Sequence, residues 1–192
     1  MPRVVRNRGE DRRSMSRQII LLRGINLGAR NRIAMPELRE LLASAGFDDV
    51  RTYLQSGNVV LWTTASPEQL ARDCERRIAE RFGLDIKVVV RTRDELADVV
   101  RRNPLGDVAV NPKRYQVSFL AAEPDPETVR KLAAAAVEHE QFVVIGRELY
   151  AWHPDGIGRS RLWALLAGGG LGVTATARNW TTVTNLLAMA DE

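Results

Sequence analysis

The sequence predicts an α+β protein: a ferredoxin-like split βαβ unit followed by a second, related α+β subdomain. Three observations carry that expectation. Short aliphatic runs and amphipathic helical stretches follow one another as β-α-β-β-α-β over residues 17–92. Two capping boxes, Ser66-Pro67-Glu68-Gln69 and Thr92-Arg93-Asp94-Glu95, mark helix starts inside that order. After a loop rich in turn residues, the same alternation returns more faintly.

Residues 17–22 are apolar without alternation, as in a central strand covered on both faces. The turn Arg23-Gly24-Ile25-Asn26-Leu27-Gly28 follows, and Pro36 suits the first position of a helix. Leu38, Leu41, Leu42 and Ala45 share one face of that helix, and Gly46 closes it. Met35, just before the proline, cannot cap, so the first N–H groups need Asn31, water or an anion. Val50, Thr52 and Leu54 alternate with Arg51, Tyr53 and Gln55, which predicts a strand with one buried and one wet face. Ser56-Gly57 turns it into Val59-Val60-Leu61-Trp62. The next helix carries Leu70, Cys74, Ile78 and Phe82 as its apolar stripe and stops at Gly83; Ile86 to Val90 is the fourth strand. A connector helix turns Leu96, Val99 and Val100 inward and ends at Asn103-Pro104.

The loop to Lys113 is the expected boundary. The chain therefore divides into a basic tail (1–16), a ferredoxin-like subdomain (17–92), a connector (93–112) and a second α+β subdomain (113–192). In that second half Tyr115 to Leu120 reads as a strand, and Asp125-Pro126 opens a helix bearing Val129, Leu132, Ala133 and Ala136. Phe142–Ile145 and Glu148–Trp152 make a hairpin about Gly146-Arg147. Leu162–Leu166 is a short helix, and Val173–Ala175 a last brief strand. Thr176 is expected to cap the final helix, which places Arg178 and Asn179 in its first turn and Trp180, Val183, Leu187 and Ala190 on its apolar face.

A chain of 192 residues with 45% hydrophobic residues can fill a core without covalent staples. A lone cysteine, Cys74, excludes an intramolecular disulfide framework and multi-cysteine metal sites, and fits a reducing, cytoplasmic setting. No apolar run is long enough for a membrane span, and the Arg-rich start lacks the apolar core of a secretory signal. Within residues 1–14 five arginines oppose Glu10 and Asp11, which accounts for +3 of the formal +4. The body is nearly neutral, so the charge by itself points to a disordered tail more than to nucleic acid.

Signatures of catalysis are poor, and His153 with Asp155 is the one candidate acid/base pair. The turn after the first strand ends without the Gly-Lys-Ser/Thr of a P-loop. Gly170, Gly172 and Ala175 match a Gly-x-Gly-x-x-Ala string, but a helical run precedes it and a β-like one follows, the reverse of a dinucleotide site. His153 with Asp155 falls short of a zinc ligand set, Ser56 has no nucleophile-elbow context, and Cys74 lies on an apolar stripe as an inert thiol. No metal and no cofactor are expected. What remains is polar: Arg23 and the turn glycines before an uncapped helix can hold an anion, or can simply build a tight crossover in which Asn26 bonds backbone. Arg159-Ser160-Arg161 is a basic loop, read either as a phosphate grip or as solvated arginines.

The segments Leu22-Arg23-Gly24-Ile25-Asn26-Leu27-Gly28, Met35 with Leu38, Thr52-Tyr53-Leu54-Gln55-Ser56-Gly57-Asn58-Val59-Val60 and Thr176-Ala177-Arg178-Asn179-Trp180-Thr181-Thr182-Val183 resemble the bacterial family called domain of unknown function 1697. The resemblance spans about residues 17 to 190. It implies an α+β protein with a ferredoxin-like first part and a related second part, and it implies no activity. The family's motif positions fall at polar residues near element ends, which favours a shared pocket. The expected ligand-binding residues are Arg23, Gly24, Asn26, Gln55, Ser56, Asn58, Arg178 and Asn179, around a small anionic ligand, phosphorylated or nucleotide-like, between the subdomains. The alternative is nucleic-acid binding through the basic tail and the Arg159–Arg161 loop.

Overall fold

The computed structural model describes residues 14–136 and 139–192, and the basic tail lies outside the described residues apart from its last few positions. Strand β1 (Ser16–Leu22), helix α1 (Met35–Ser44), β2 (Asp48–Tyr53), β3 (Asn58–Thr63), α2 (Pro67–Phe82) and β4 (Val88–Thr92) build an antiparallel sheet of order β2-β3-β1-β4. Helix α3 (Arg93–Arg102) follows it. Strand β5 (Tyr115–Leu120), α4 (Pro126–Ala135), β6 (Gln141–Ile145), β7 (Glu148–Trp152), α5 (Arg161–Ala167) and β8 (Ala175–Asn179) build a second sheet of order β6-β7-β5-β8, and α6 (Trp180–Asp191) follows that one. The two halves thus share element order, strand order and a trailing helix.

Alternation along each strand separates three cores. Ile20, Leu22, Val59, Leu61, Val88 and Val90 turn outward to Leu38, Leu42, Leu70, Cys74 and Ile78 of α1 and α2. Leu120, Leu149 and Ala151 turn outward to Leu132, Leu162 and Leu166 of α4 and α5. The inner faces meet each other: Ile19, Leu21, Val60 and Val89 of the first sheet join Val117, Phe119, Tyr150 and Trp152 of the second, with Leu96, Val99, Val183 and Leu186 from α3 and α6. Helix α3, expected as a connector, is therefore a wall of the central core.

Several local expectations hold for the reasons given. Ser66 and Thr92 make reciprocal capping boxes with Gln69 and Glu95, and Gly83 ends α2 at a left-handed φ of 69°. Cys74 is buried, and burial pushes its thiol up to about 12. Trp180 packs against the central core and stacks on Tyr115 with ring centroids 4.9 Å apart.

Two details differ. Thr176 does not cap the last helix: it lies in β8, which runs to Asn179 along β5, and Asn179 caps α6 by accepting from the Thr182 N–H. The edge of β5 needed a partner, and alternating Thr176 and Arg178 supplied it. Leu54 is exposed rather than buried, because β2 ends at Tyr53 and Leu54 enters the turn with φ 56°. His153, in the turn before Pro154, has a structural place: it is 1% exposed and makes a 2.9 Å hydrogen bond between Nδ1 and the Ser160 hydroxyl.

Candidate functional site

Register makes the halves comparable residue by residue. Gln18 pairs with Thr92 as Gln116 pairs with Asn179, and Ile19 with Arg91 as Val117 with Arg178. Leu21 pairs with Asn58 as Phe119 pairs with Glu148. Arg91 and Arg178 therefore occupy equivalent places, one residue before the caps of α3 and α6. Each reaches across into the other half.

Arg178 Nη2 donates to the Leu22 carbonyl at 2.8 Å and the Ser56 carbonyl at 3.0 Å. Its Nη1 donates to Thr176 Oγ1 and the Ala177 carbonyl, and its Nε donates to Asn58 Oδ1. Arg91 Nη2 donates to the Leu120 carbonyl at 2.7 Å and the Arg147 carbonyl at 3.2 Å, and its Nε to Glu148 Oε1 at 2.8 Å. Leu22 and Leu120 are equivalent, as are Asn58 and Glu148. The clasps share the Leu22/Leu120 and Gly57/Arg147 carbonyls; Arg178 adds the Ser56 carbonyl and the Thr176 hydroxyl, the latter where the first half has Val89, and the remaining difference is the acceptor of Nε, Asn58 in place of Glu148.

That position sets the electrostatics. Glu148 neutralises Arg91 as a buried ion pair. Asn58 leaves the Arg178 charge without a carboxylate partner among the described residues, and burial alone pulls its guanidinium down to about 10, still cationic at neutral pH. A buried cation compensated only by neutral dipoles projects its field into whatever space adjoins it.

A cleft of about 240 Å³ adjoins it. Arg178, Thr176, Ser118, Ala175 and Ala177 of the second sheet, Trp163, Leu166 and Ala167 of α5, Ser56, and the Leu22–Leu27 turn line the space. The register explains why it is open. Ile20, Val88 and Val90 fill the equivalent outer face of the first sheet, where the second has Ser118, Ala175 and Ala177. Smaller side chains leave volume there.

The turn that closes the cleft is pegged in place. Asn26, at φ 55°, donates through Nδ2 to the Ile33 and Gln55 carbonyls and accepts from the Ile33 N–H. Asn31 donates its amide to the Gly24 carbonyl instead of capping α1, whose N-cap residue Ala34 offers no side-chain bond. Arg23 is exposed on the rim, and its guanidinium has no partner among the described residues.

Of the expected site residues, Arg23, Gly24, Ser56 and Arg178 come together on the cleft. Asn26 and Asn58 stand behind it, Gln55 accepts the Asn26 amide on its carbonyl, and Asn179 caps α6. Ser118, Thr176, Trp163 and Leu27 escaped sequence reasoning, because a serine within a strand and a tryptophan within a helix read as packing. Arg159 and Arg161 are exposed and do not line the cleft. Among the described residues no cluster of His, Cys, Asp or Glu has the makings of a metal site, and no helix is long and apolar enough to cross a membrane.

The fold and site together define an internally repeated α+β protein with two four-stranded antiparallel sheets and a positively charged cleft at one junction. A family model described as protein of unknown function (DUF1697) matches residues 15–150, and the chain belongs to that family. The match stops before β8, so Arg178 lies outside it. The solved structure of conserved bacterial protein SP0830 from Streptococcus pneumoniae is similar, with a TM-score of 0.73 and 21% identity over 92% of this chain and 99% of that one. At that identity the likeness shows the shared fold. No curated protein matches the sequence.

Proposed function

We propose that the protein binds a small anion, a phosphate ester or nucleotide-like molecule, in the cleft between its two ferredoxin-like halves, and that it does so in the cytoplasm. The carrying observation is the uncompensated charge of Arg178, where the equivalent Arg91 is neutralised by Glu148. Burying a cation is costly, and a structurally equivalent position shows how the same scaffold offsets that cost when the charge has no outside use. All the Arg178 N–H groups are already engaged, so its part is to set the potential. Direct bonds to the anion fall to the Arg23 guanidinium, the Gly24 N–H and the hydroxyls of Ser56 and Ser118. The single buried cysteine suits a reducing compartment.

The test is a titration of the labelled protein with inorganic phosphate, read from the amide resonances of Gly24 and Ser118. Saturable shifts are expected. Asn58→Asp, which places a carboxylate against Arg178, weakens binding by about tenfold or more, or roughly 1.4 kcal/mol. Arg23→Ala weakens it without touching the core. Absence of saturable shifts, or unchanged affinity in a folded Asn58→Asp variant, overturns the reading.

A further inference from the structure

The cleft has two chemically different ends. Arg23, Arg178, Ser56 and Thr176 gather at one, against the first half. Trp163, Leu166 and Ala167 of α5 form the other, and Leu27 lines the cleft from the turn that carries Arg23. Leu27 is 74% exposed, an unusual setting for a large aliphatic side chain held on a turn that Asn26 fixes at three points. An anion alone leaves that end unfilled.

The indole is held as firmly as the charge. Trp163 sits in the first turn of α5, where its backbone N–H donates to the capping Ser160 hydroxyl at 2.8 Å. The same hydroxyl bonds His153 Nδ1 at 2.9 Å, and the His153 ring packs edge-on to the indole, centroids 5.8 Å apart at 80°. The wall is therefore preorganised for a flat apolar group. Ser118, 3% exposed, also lines the cleft, and no described side chain engages its hydroxyl. A polar atom left over in so buried a place suits a ligand's own oxygen.

Volume fixes the size of the occupant. An apolar cavity of about 150 Å³ takes up benzene. The 240 Å³ here accommodate one ring with an anionic group attached, and a larger molecule would extend beyond the mouth. Resting on the anion-binding reading above, we infer that the ligand is a small aromatic anion, its phosphate or carboxylate at the arginine end and its single ring between Trp163 and Leu27.

The experiment compares phenyl phosphate with methyl phosphate, which carries the same charge without the ring, using the Gly24 and Ser118 amide shifts. Phenyl phosphate is expected to bind at least about tenfold more tightly. Benzoate against acetate repeats the comparison and tells a phosphate preference from a carboxylate one. Trp163→Ala reduces the ring's advantage to within about twofold and leaves methyl phosphate affinity unchanged. Leu27→Ser, at an exposed side chain that cannot endanger the fold, reduces the same advantage in part. Equal binding of the two phosphates refutes the ring inference and leaves the anion site standing. Failure of both to bind refutes the anion site itself. A ring advantage that persists in both variants places the ring elsewhere and refutes the assignment to Trp163 and Leu27.

Discussion

Arg178 illustrates how far a single residue's surroundings decide its role. Expected in the first turn of the last helix and at a ligand site, it lies instead near the end of β8, 7% exposed, and its guanidinium holds carbonyls from the other half of the chain. Its difference in charge balance from Arg91 is not written locally, because it lies in the residue each meets across the sheets, Asn58 or Glu148. Pairings of that range have no local periodic signal. His153 is a second residue whose surroundings set its behaviour. Burial holds its imidazole below the ordinary value near 6.5, although Glu140 at 3.5 Å pulls the other way. As pH falls, the unfolded chain takes up this proton before the folded one does, so the contribution is complete above about 6.5 and shrinks below it until the folded imidazole also protonates. Urea unfolding between pH 7 and 5 should show this loss, with a slope no steeper than about 1.4 kcal/mol per pH unit from this one group. His153→Gln should flatten that part of the profile. An identical slope in the variant would mean that other groups govern it.

Elements with strong periodicity were legible and those defined by pairing were less so. The stripes of α1 and α2 and both capping boxes are local chemistry, and they stand where residue spacing puts them. The start of α6 slipped because Thr176 and Asn179 are both competent caps, and only the unsatisfied edge of β5 chooses between them. The turn between β2 and β3 shows a further constraint. Gly57 adopts φ 75°, and a Cβ there would come within 2.6 Å of Leu22 Cβ and 2.8 Å of Ile25 Cδ1. Its carbonyl also accepts from the Leu22 N–H at 2.8 Å, beside the carbonyls that Arg178 holds. Gly57→Ala combines a left-handed penalty with a clash against core atoms, and we expect a loss of about 3 kcal/mol in urea unfolding. A change below about 1 kcal/mol would show that the turn can relax and that its carbonyls are not held in register.

At the scale of the molecule the sequence suggested two subdomains joined by a connector, while a core as rich in buried residues as the first half's own lies between them. Ile19, Leu21, Val60 and Val89 have no cover except the other half and the helices α3 and α6. Polar ties reinforce this: Arg147 to Glu95 at 2.6 Å, Arg93 to Asp191 at 2.7 Å, and the Asn185 amide to the Tyr53 hydroxyl at 2.7 Å. The protein should therefore unfold in one transition, with far-ultraviolet circular dichroism and tryptophan fluorescence coincident. Cutting the chain within residues 105–109 should leave two pieces that co-purify when made together and aggregate when made apart. Two separate unfolding transitions would contradict this picture. The reciprocal grip of Arg91 and Arg178 has a further consequence. Each half does for the other what a second subunit does in a symmetric pair, but identical subunits must carry the same residue at both junctions. Joined in one chain, the copies are released from that identity, so one junction can be sealed for strength while its counterpart stays charged and open for recognition.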